Sequence, residues 1–337
     1  MGLDVSKKRV IFIHGLAGKP PESVEHELWS KCLIENIRVD DPDTASALED
    51  SPDTLRSAYW ASATPHHLED DEDYVAKLRV RVDAVIEARR QLRSGFHVGA
   101  GEAVGAFFKE RGEDLVKLLT GALTIKDDVM KHYLRETELY AEDQYIADKM
   151  RQRLEEELRK AWDEGCDVTI ISHSMGTFIS YDVLWRFSHR SVAGYADYRQ
   201  KRVQMFVTMG SPLCESAVRD MLFARYHRDG GRRQYPTNID FWHNYACLGD
   251  VVCHPVDFDK NYFAEMKRLG ILPESPAYRA TSYENLHNPF EVVEHEGNSG
   301  HIKRDPHKSF GYLVQPRLGT WISNFFRGEL AYSASHE

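Results

Sequence analysis

The chain has 337 residues, of which 42% are hydrophobic and 28% are charged, so it can form a sizeable core. Its formal net charge of −10 argues against nucleic acid and anionic membranes as partners, because both would repel it. Five cysteines without a Cys-x-x-Cys pair favour free thiols in a reduced compartment, and no apolar run suits a membrane span or a signal-peptide core. The expected location is therefore cytoplasmic, without stable membrane insertion.

The first element along the chain is a short apolar run followed by a glycine-rich loop. Residues 7–13 (Lys-Lys-Arg-Val-Ile-Phe-Ile) have the character of a buried strand, and His14-Gly15-Leu-Ala-Gly18 follows directly. Gly15 and Gly18 allow the backbone to approach a bound molecule closely, because they have no side chain in the way. An ordinary strand-to-helix loop is the alternative interpretation of this segment.

A second strand and a long helical insertion are predicted next. Residues 57–62 (Ser-Ala-Tyr-Trp-Ala-Ser) predict the strand, and the residues from about 66 to 162 are mostly helical in pattern. The four acids at 70–73 indicate a helix start, where they complement the helix dipole, rather than a metal site. Residues 127–160 alternate in charge, which predicts a solvated helix face.

Two other features of this insertion bear on function. Gly99-Ala-Gly101 does not follow a predicted strand, so it does not indicate a dinucleotide-binding site. A group of apolar side chains comes after it: Phe107, Phe108, Leu115, Leu118 and Leu119. They indicate either a lid over an active site or a helix packed on the rest of the domain, and the sequence leaves both open.

The most informative feature is Ser172-His-Ser174-Met-Gly176, which follows the β-branched run of residues 168–171 and opens a helical pattern. A strand, a tight turn centred on serine and a helix form the layout of a nucleophile elbow. Such a turn presents the Ser174 hydroxyl beside the Met175 amide and the positive end of the helix dipole, where an oxyanion is stabilised. An ordinary strand–turn–helix with serines at the helix start is the alternative interpretation.

Strands and helices then alternate along the second half of the chain. Strands are predicted at residues 203–209, 240–247 and 290–294, and a final helix begins near Pro316. Such alternation is typical of a parallel sheet with helices on its faces.

These motifs resemble the α/β-hydrolase family, in particular its serine lipase and esterase branch. The resemblance implies an α/β-hydrolase fold with a mostly parallel central sheet flanked by helices. It implies one domain over residues 1–337, in which the helical insertion at about 66–162 lies between the early strands and the nucleophile strand. In that family the loop after His-Gly supplies the second oxyanion donor, which is here the Leu16 amide. One position departs from the family pattern, since Ser172 stands where glycine is usual.

A serine nucleophile needs a base and an acid, and the hydrolase fold supplies them in the chain order serine, acid, histidine. Asp250 is the favoured acid, because it closely follows the strand predicted at 240–247. Asp257 and Asp259 lie further into the same loop and are the fallback acids.

The base is predicted to be His307, with His301 as the fallback. Asp305-Pro-His307-Lys-Ser-Phe-Gly-Tyr-Leu313 resembles the His-x-x-x-Gly-Tyr-Leu end of a group of bacterial lipase-like hydrolases, whereas His301 lies in a segment more typical of a surface loop. A metal site is the alternative role for the histidines of this region, which are His287, His295, His301 and His307. Their spacing matches no compact ligand pattern, so neither a metal nor a cofactor is expected.

The sequence therefore predicts a serine hydrolase that cleaves carboxylic esters through an acyl-enzyme on Ser174. The expected partner is a small, neutral ester with a short to medium acyl chain, because the net negative charge disfavours anionic substrates. Two alternatives stay open, namely a hydrolase-fold protein that only binds and an acyltransferase with the same triad. The sequence does not predict the natural substrate or the oligomeric state.

Overall fold

The computed structural model describes residues 3, 5–15, 20–63, 71–91, 136–227, 231–247, 250, 252–253, 258–272, 294–296, 301–303 and 307–330. Several sequence predictions lie outside these residues. They concern Leu16, Gly18, Asp257, the glycines at 99–101 and the apolar residues between 107 and 119.

A five-stranded sheet forms the centre of the fold, and all of its strands are parallel. In chain order the strands are β1 (Lys8–Ile13), β2 (Leu55–Ser57), β3 (Asp167–His173), β4 (Val203–Met209) and β5 (Ile239–Tyr245). Their order across the sheet is β2-β1-β3-β4-β5. Parallel strands end at one edge, so the loops after β1, β3, β4 and β5 lie side by side. The prediction of an α/β architecture with a parallel sheet is confirmed at this level.

Helices flank the sheet. They are α1 (Glu22–Asp40), α2 (Pro42–Glu49), α3 (Glu72–Gln91), α4 (Gln144–Asp163), α5 (Met175–His189), α6 (Ser216–Met221), α7 (Ala264–Arg268), α8 (Ser309–Leu313) and α9 (Pro316–Arg327). Residues 136–142 are also helical. Single turns of 3-10 helix occur at Pro52–Thr54, Ala61–Ala63, Ala196–Tyr198, Pro212–Cys214, Phe223–His227 and Arg232–Gln234, and a π-helical turn at Asp259–Phe263 precedes α7.

The sheet separates two apolar clusters, because successive side chains of a strand point to opposite faces. In β1, Ile11 and Ile13 belong to one cluster and Val10 and Phe12 to the other. The first cluster contains side chains of α4, α5 and α6, and we call it the α5 face. The second contains side chains of α1, α2, α3, α8 and α9, and we call it the α1 face.

The strand predicted at residues 57–62 is wrong in position. The strand β2 ends at Ser57, and residues 61–63 form a 3-10 turn. Tyr59 and Trp60 between them are buried, and each of their rings packs on the His14 ring at a centroid distance of 4.8 Å. Their aromatic character, which favours strands, here serves to hold the loop that follows β1.

The prediction of a solvated face along residues 127–160 is wrong for part of α4. Arg151 and Glu155 are buried there, with 1% and 5% of their surface exposed. Arg151 Nη1 lies 3.4 Å from Asp182 Oδ2, and Arg186 Nη1 lies 3.1 Å from Glu155 Oε1. These charges are buried because each has a partner of opposite sign on α5.

Of the strand predicted at residues 290–294, only Glu294 is among the described residues. There the structure has an antiparallel pair, β6 (Glu294–Glu296) and β7 (His301–Lys303), which is separate from the central sheet. The expectation that His301 lies in a surface loop is therefore wrong for its backbone, because this residue begins β7.

Two further findings concern membrane spans and thiols. Within the described ranges, no helix combines the length and the apolar character that crossing a membrane requires. All five cysteines are buried and none of them is in a disulfide bond: Cys32, Cys166, Cys214, Cys247 and Cys253.

Candidate active site

Ser174 lies at the sharp turn between β3 and α5. With φ 52° and ψ −124°, it is the only non-glycine residue with a left-handed φ in the part of the chain that the structure describes. A backbone conformation of this kind costs roughly 1–3 kcal/mol. The Ser174 amide donates to the Met209 carbonyl at 2.9 Å, and its carbonyl accepts from the Thr177 hydroxyl at 2.6 Å. Neighbouring elements therefore hold the turn in its strained shape, as a nucleophile elbow requires.

Two glycines let this turn approach β1. A Cβ atom on Gly176 would lie 2.6 Å from the carbonyl oxygens of both Ile13 and His14, and one on Gly15 would lie 2.8 Å from Ser174 Cβ. Neither position has room for a side chain. The start of α5 therefore rests directly on the end of β1.

Ser172 occupies the motif position where the resembling family has glycine. It is fully buried, and its hydroxyl donates to the Val207 carbonyl of β4 at 2.7 Å. Serine fits this position because the side chain is small and its polar atom has a partner.

The side chains of Ser174, His307 and Asp250 form a hydrogen-bonded chain. Ser174 Oγ lies 2.8 Å from His307 Nε2, and His307 Nδ1 lies 2.8 Å from Asp250 Oδ2. An ionised carboxylate can only accept, so Nδ1 carries the proton and Nε2 accepts the hydroxyl of Ser174. Their separations in sequence, 133 residues for the first contact and 57 for the second, mean that only the fold brings them together.

The Asp250 carboxylate is fully buried, whereas 21% of the His307 side chain is exposed. Burial alone raises the pKa of the Asp250 carboxyl. The charge of His307 and hydrogen bonds from His307, Tyr312 and the Val252 amide outweigh that effect and hold the pKa below its ordinary value. Asp250 is therefore ionised at neutral pH, as an acceptor for Nδ1–H must be.

Gly210, which directly follows β4, leaves space for the side chains of Asp250 and His307. Its φ is +55°, and a Cβ atom there would lie 2.9 Å from Asp250 Oδ2 and 3.0 Å from His307 Nδ1. Both the backbone angle and the close approach require glycine here.

The structure places the favoured residues together. His307 contacts Ser174, and Asp250 contacts His307. The side chain of the fallback base, His301, lies outside the described part. Asp259 begins the π-helical turn before α7, and Asp257 is not among the described residues.

Of the two predicted oxyanion donors, only Met175 belongs to the part of the chain that the structure describes. Met175 is the first residue of the 15-residue helix α5, whose first-turn amides have no intrahelical partner. The Ser174 side chain makes no capping bond to that helix, which argues against the interpretation as an ordinary capped helix start. The other predicted donor, Leu16, lies outside the described residues, directly after Gly15.

His14 fixes the beginning of that loop. The amides of Trp60 and Ala61 approach His14 Nε2 at 3.2 and 3.3 Å, so this nitrogen accepts. His14 Nδ1 then carries the proton and donates to the Gly15 carbonyl at 2.8 Å. The backbone leading to Leu16 is thus oriented by a buried ring.

His173 is a contact residue that the sequence analysis did not single out. Its Nε2–H donates to the His307 carbonyl at 2.7 Å, and the two rings lie 4.7 Å apart. The residue before Ser174 therefore holds the backbone of His307. The one sequence signal that could have identified His173 was its position inside the Ser-His-Ser motif.

Within the described residues, no group of three or more histidine, cysteine, aspartate or glutamate side chains is arranged to hold a metal ion. Comparisons with protein-family models, with curated proteins and with solved structures found no match for the chain. Function is therefore inferred from the residues and distances of this site.

Proposed function

We propose that this chain is a serine hydrolase of the α/β-hydrolase fold that cleaves carboxylic esters. The observation that carries the proposal is the hydrogen-bonded chain of Ser174, His307 and Asp250, with 2.8 Å at both contacts. Ser174 and Asp250 follow β3 and β5 of one parallel sheet, in the chain order serine, acid, histidine that the hydrolase fold uses.

Acylation begins at the Ser174 hydroxyl. His307 Nε2 accepts the hydroxyl proton while Oγ bonds to the ester carbonyl carbon, and the Asp250 carboxylate stabilises the imidazolium that results. The Met175 amide and the Leu16 amide hold the negative oxygen of the tetrahedral intermediate. His307 then gives its proton to the leaving alcohol, and the acyl group stays on Ser174.

Deacylation reverses these roles with water. His307 accepts a proton from a water molecule whose oxygen attacks the acyl carbon, and it returns that proton to Ser174 Oγ as the carboxylic acid leaves. The same acyl-enzyme serves an acyltransferase if an alcohol replaces water, and product analysis with competing alcohols separates the two.

The proposed substrate is a neutral ester with a short to medium acyl chain. The net charge of −10 supports neutral substrates, because anionic ones would be repelled. A panel of p-nitrophenyl esters of increasing chain length tests this part. A rate that climbs steadily towards long acyl chains contradicts it and indicates a deep apolar groove instead.

Fluorophosphonate labelling of the folded protein tests the proposed nucleophile. We expect one label on Ser174, none on Ser174→Ala, and an unchanged label on Ser180→Ala. Ser180 is a matched control, because it is a buried serine of α5 whose hydroxyl donates to the Gly176 carbonyl.

Turnover of a p-nitrophenyl ester completes the test. Ser174→Ala is expected to lower kcat by roughly 10⁴- to 10⁶-fold, as loss of the nucleophile does in serine proteases. A wild-type protein that is neither labelled nor active on any ester of the panel overturns the proposal and favours the binding-only alternative.

A further inference from the structure

The hydroxyl of Tyr312 lies against the carboxylate of the proposed triad. It donates to Asp250 Oδ2 at 2.7 Å, and it accepts from the Cys247 amide at 2.9 Å. Tyr312 belongs to α8 and is 1% exposed, so both bonds are buried. Burial and the neighbouring Asp250 carboxylate raise the pKa of the Tyr312 phenol well above its ordinary value. The phenol therefore stays protonated and acts as the donor to the carboxylate.

Three donors together fix the orientation of the carboxylate. Oδ2 receives Nδ1–H of His307 and the hydroxyl of Tyr312, while Oδ1 receives the Val252 amide at 2.9 Å. Without the Tyr312 hydroxyl, the donors that remain among the described residues are the Val252 amide, which binds the other oxygen, and His307 itself. Oδ2 would then be held by His307 alone within the described part of the chain.

The hydroxyl also links the segments that carry the acid and the base. Cys247 lies just beyond β5 and three residues before Asp250, whereas Tyr312 lies five residues after His307. A phenylalanine ring would fill the same volume, but it would join neither the Cys247 amide nor the carboxylate. The polar atom is therefore the feature that core packing does not explain.

We propose that Tyr312 is a positioning residue, whose hydroxyl holds the Asp250 carboxylate so that Oδ2 faces Nδ1 of His307. It acts through Asp250 and not on the reacting atoms. The inference rests on the proposed serine hydrolase function, because positioning matters only if the triad reacts.

The test is Tyr312→Phe, compared with Tyr181→Phe in the full-length protein. Tyr181 is a matched control, since it is 1% exposed and its hydroxyl donates to the Gln234 carbonyl at 2.8 Å. Tyr312→Phe is expected to lower kcat and the fluorophosphonate labelling rate by about tenfold, less than the hundredfold that a misplacement of roughly 1 Å can produce. KM stays within about twofold, because substrate binding is not altered. Tyr181→Phe leaves all three quantities unchanged.

A double-mutant cycle with Asp250→Asn separates positioning from a general structural role. Once the carboxylate is gone, Tyr312→Phe is expected to cause no further loss of labelling rate. Replacing Tyr312 by 4-aminophenylalanine restores a donor and is expected to restore most of kcat. Rates are expressed per folded molecule from near-ultraviolet circular dichroism, so a partly unfolded preparation still gives an answer.

The outcomes separate this inference from the proposed function. If the wild type and Tyr181→Phe are labelled and active but Tyr312→Phe equals them, the positioning role is wrong and the hydrolase stands. The same holds if the tenfold loss persists in the Asp250→Asn background. If the wild type is neither labelled nor active, the proposed function fails and the positioning role fails with it.

Discussion

The proposed nucleophile and the proposed base are held from opposite faces of the sheet, by different kinds of contact. On the α5 face, ion pairs between side chains join α4 to α5, the helix that follows Ser174. Arg151 lies 3.4 Å from Asp182, and Arg186 lies 3.1 Å from Glu155. Tyr140 adds its hydroxyl, which donates to Asp182 at 2.6 Å. Each contact joins one helix to another through two side chains.

On the α1 face, a side chain binds the backbone directly. Asn36 of α1 donates its amide to the carbonyls of Leu313 and Gln315, at 2.9 and 2.7 Å. Its own carbonyl accepts from Arg89 Nε at 2.7 Å. These two carbonyls lie at the end of α8 and in the turn before α9, just after Tyr312, so the contact fixes the segment that carries His307.

This difference indicates which face of the sheet tolerates amino-acid substitutions. An ion pair between helices can be replaced by apolar side chains of similar volume without loss of stability, because burying two charges is itself unfavourable. A side chain that binds two backbone carbonyls has no such substitute, since those carbonyls stay buried. We therefore expect the α5 face to govern stability alone, and the α1 face to govern both stability and activity.

The largest effect is expected for Asp250→Asn, which changes the acid that contacts His307. Asp250→Asn keeps the shape of the side chain but cannot hold His307 in the tautomer that accepts from Ser174. We expect kcat to fall by about 10⁴-fold. Steady-state kinetics with a p-nitrophenyl ester measures it, with Asp167→Asn, an exposed residue at the other end of β3, as the control. A loss below tenfold is inconsistent with the role proposed for Asp250.

On the α5 face, Asp182→Ala leaves Arg151 without its buried carboxylate partner. We expect the free energy of unfolding, from urea titration, to fall by about 3 kcal/mol while kcat per folded molecule is kept. Asp163→Ala is the matched control, because Asp163 is an exposed carboxylate that accepts a tyrosine hydroxyl, that of Tyr198.

The double variant Arg151→Met/Asp182→Leu sharpens the same point. It removes both charges, so we expect its free energy of unfolding to recover to within about 1–2 kcal/mol of the wild type. The remaining loss comes from the Phe223 amide and the Tyr140 hydroxyl, which no longer have Asp182 as their acceptor. A double variant as unstable as Asp182→Ala means that the ion pair itself is needed.

On the α1 face, Asn36→Ala leaves the carbonyls of Leu313 and Gln315 without this donor. We expect the free energy of unfolding to fall by about 2 kcal/mol. In contrast to Asp182→Ala, kcat per folded molecule also falls, because the segment that carries His307 loses an anchor. Equal effects of the two variants on kcat would remove the distinction between the faces. Asn324→Ala, a half-buried asparagine of α9, is the control.

The last prediction concerns Glu215, a carboxyl buried on the α5 face. Burial raises its pKa from 4.5 to about 7, and its Oε1 atom has no hydrogen-bond partner among the described residues. The folded state thus binds the proton more tightly than the unfolded state, so this group lowers stability as the pH rises from about 4.5 to 7. We expect Glu215→Gln to be more stable than the wild type at pH 8 by roughly 1–3 kcal/mol, with no gain at pH 4.

Urea titrations across this pH range measure that difference. Exposed Glu138→Gln is the control and is expected to leave the pH dependence as it is in the wild type. A constant difference between Glu215→Gln and the wild type at all pH values contradicts the prediction.

Elements with a strong local pattern were predictable from the sequence. The β-branched and apolar runs of β3 and β4 decide their own conformation, and the predicted strand at 203–209 is confirmed at Val203–Met209. The sharp turn at Ser174 was predictable for the same reason, because the elbow motif is contained within five residues. His307 required the resemblance to a family ending, since a single histidine has no local pattern.

The contacts that set the geometry were not predictable, because each depends on a partner far along the chain. In the sequence, Arg151 belongs to a charged run that is typical of a solvated helix face. Its burial is explained only by Asp182, which is 31 residues away in sequence and lies beside it in the fold. Tyr312 meets Asp250 across 62 residues, and Asn36 meets Leu313 across 277. The misplaced strand at 57–62 has a similar cause, since its aromatic residues pack on the His14 ring after β1.

The separation of 133 residues between Ser174 and His307 also sets a delay during synthesis of the chain. At about 5–20 residues per second, a ribosome adds the histidine roughly 7–27 s after the serine. Throughout that interval the growing chain carries Ser174 without the histidine that contacts it in the complete fold. Under the proposed mechanism, the protein acquires its reactivity only when the segment around His307 docks between β3 and α1, so an unfinished chain is inactive.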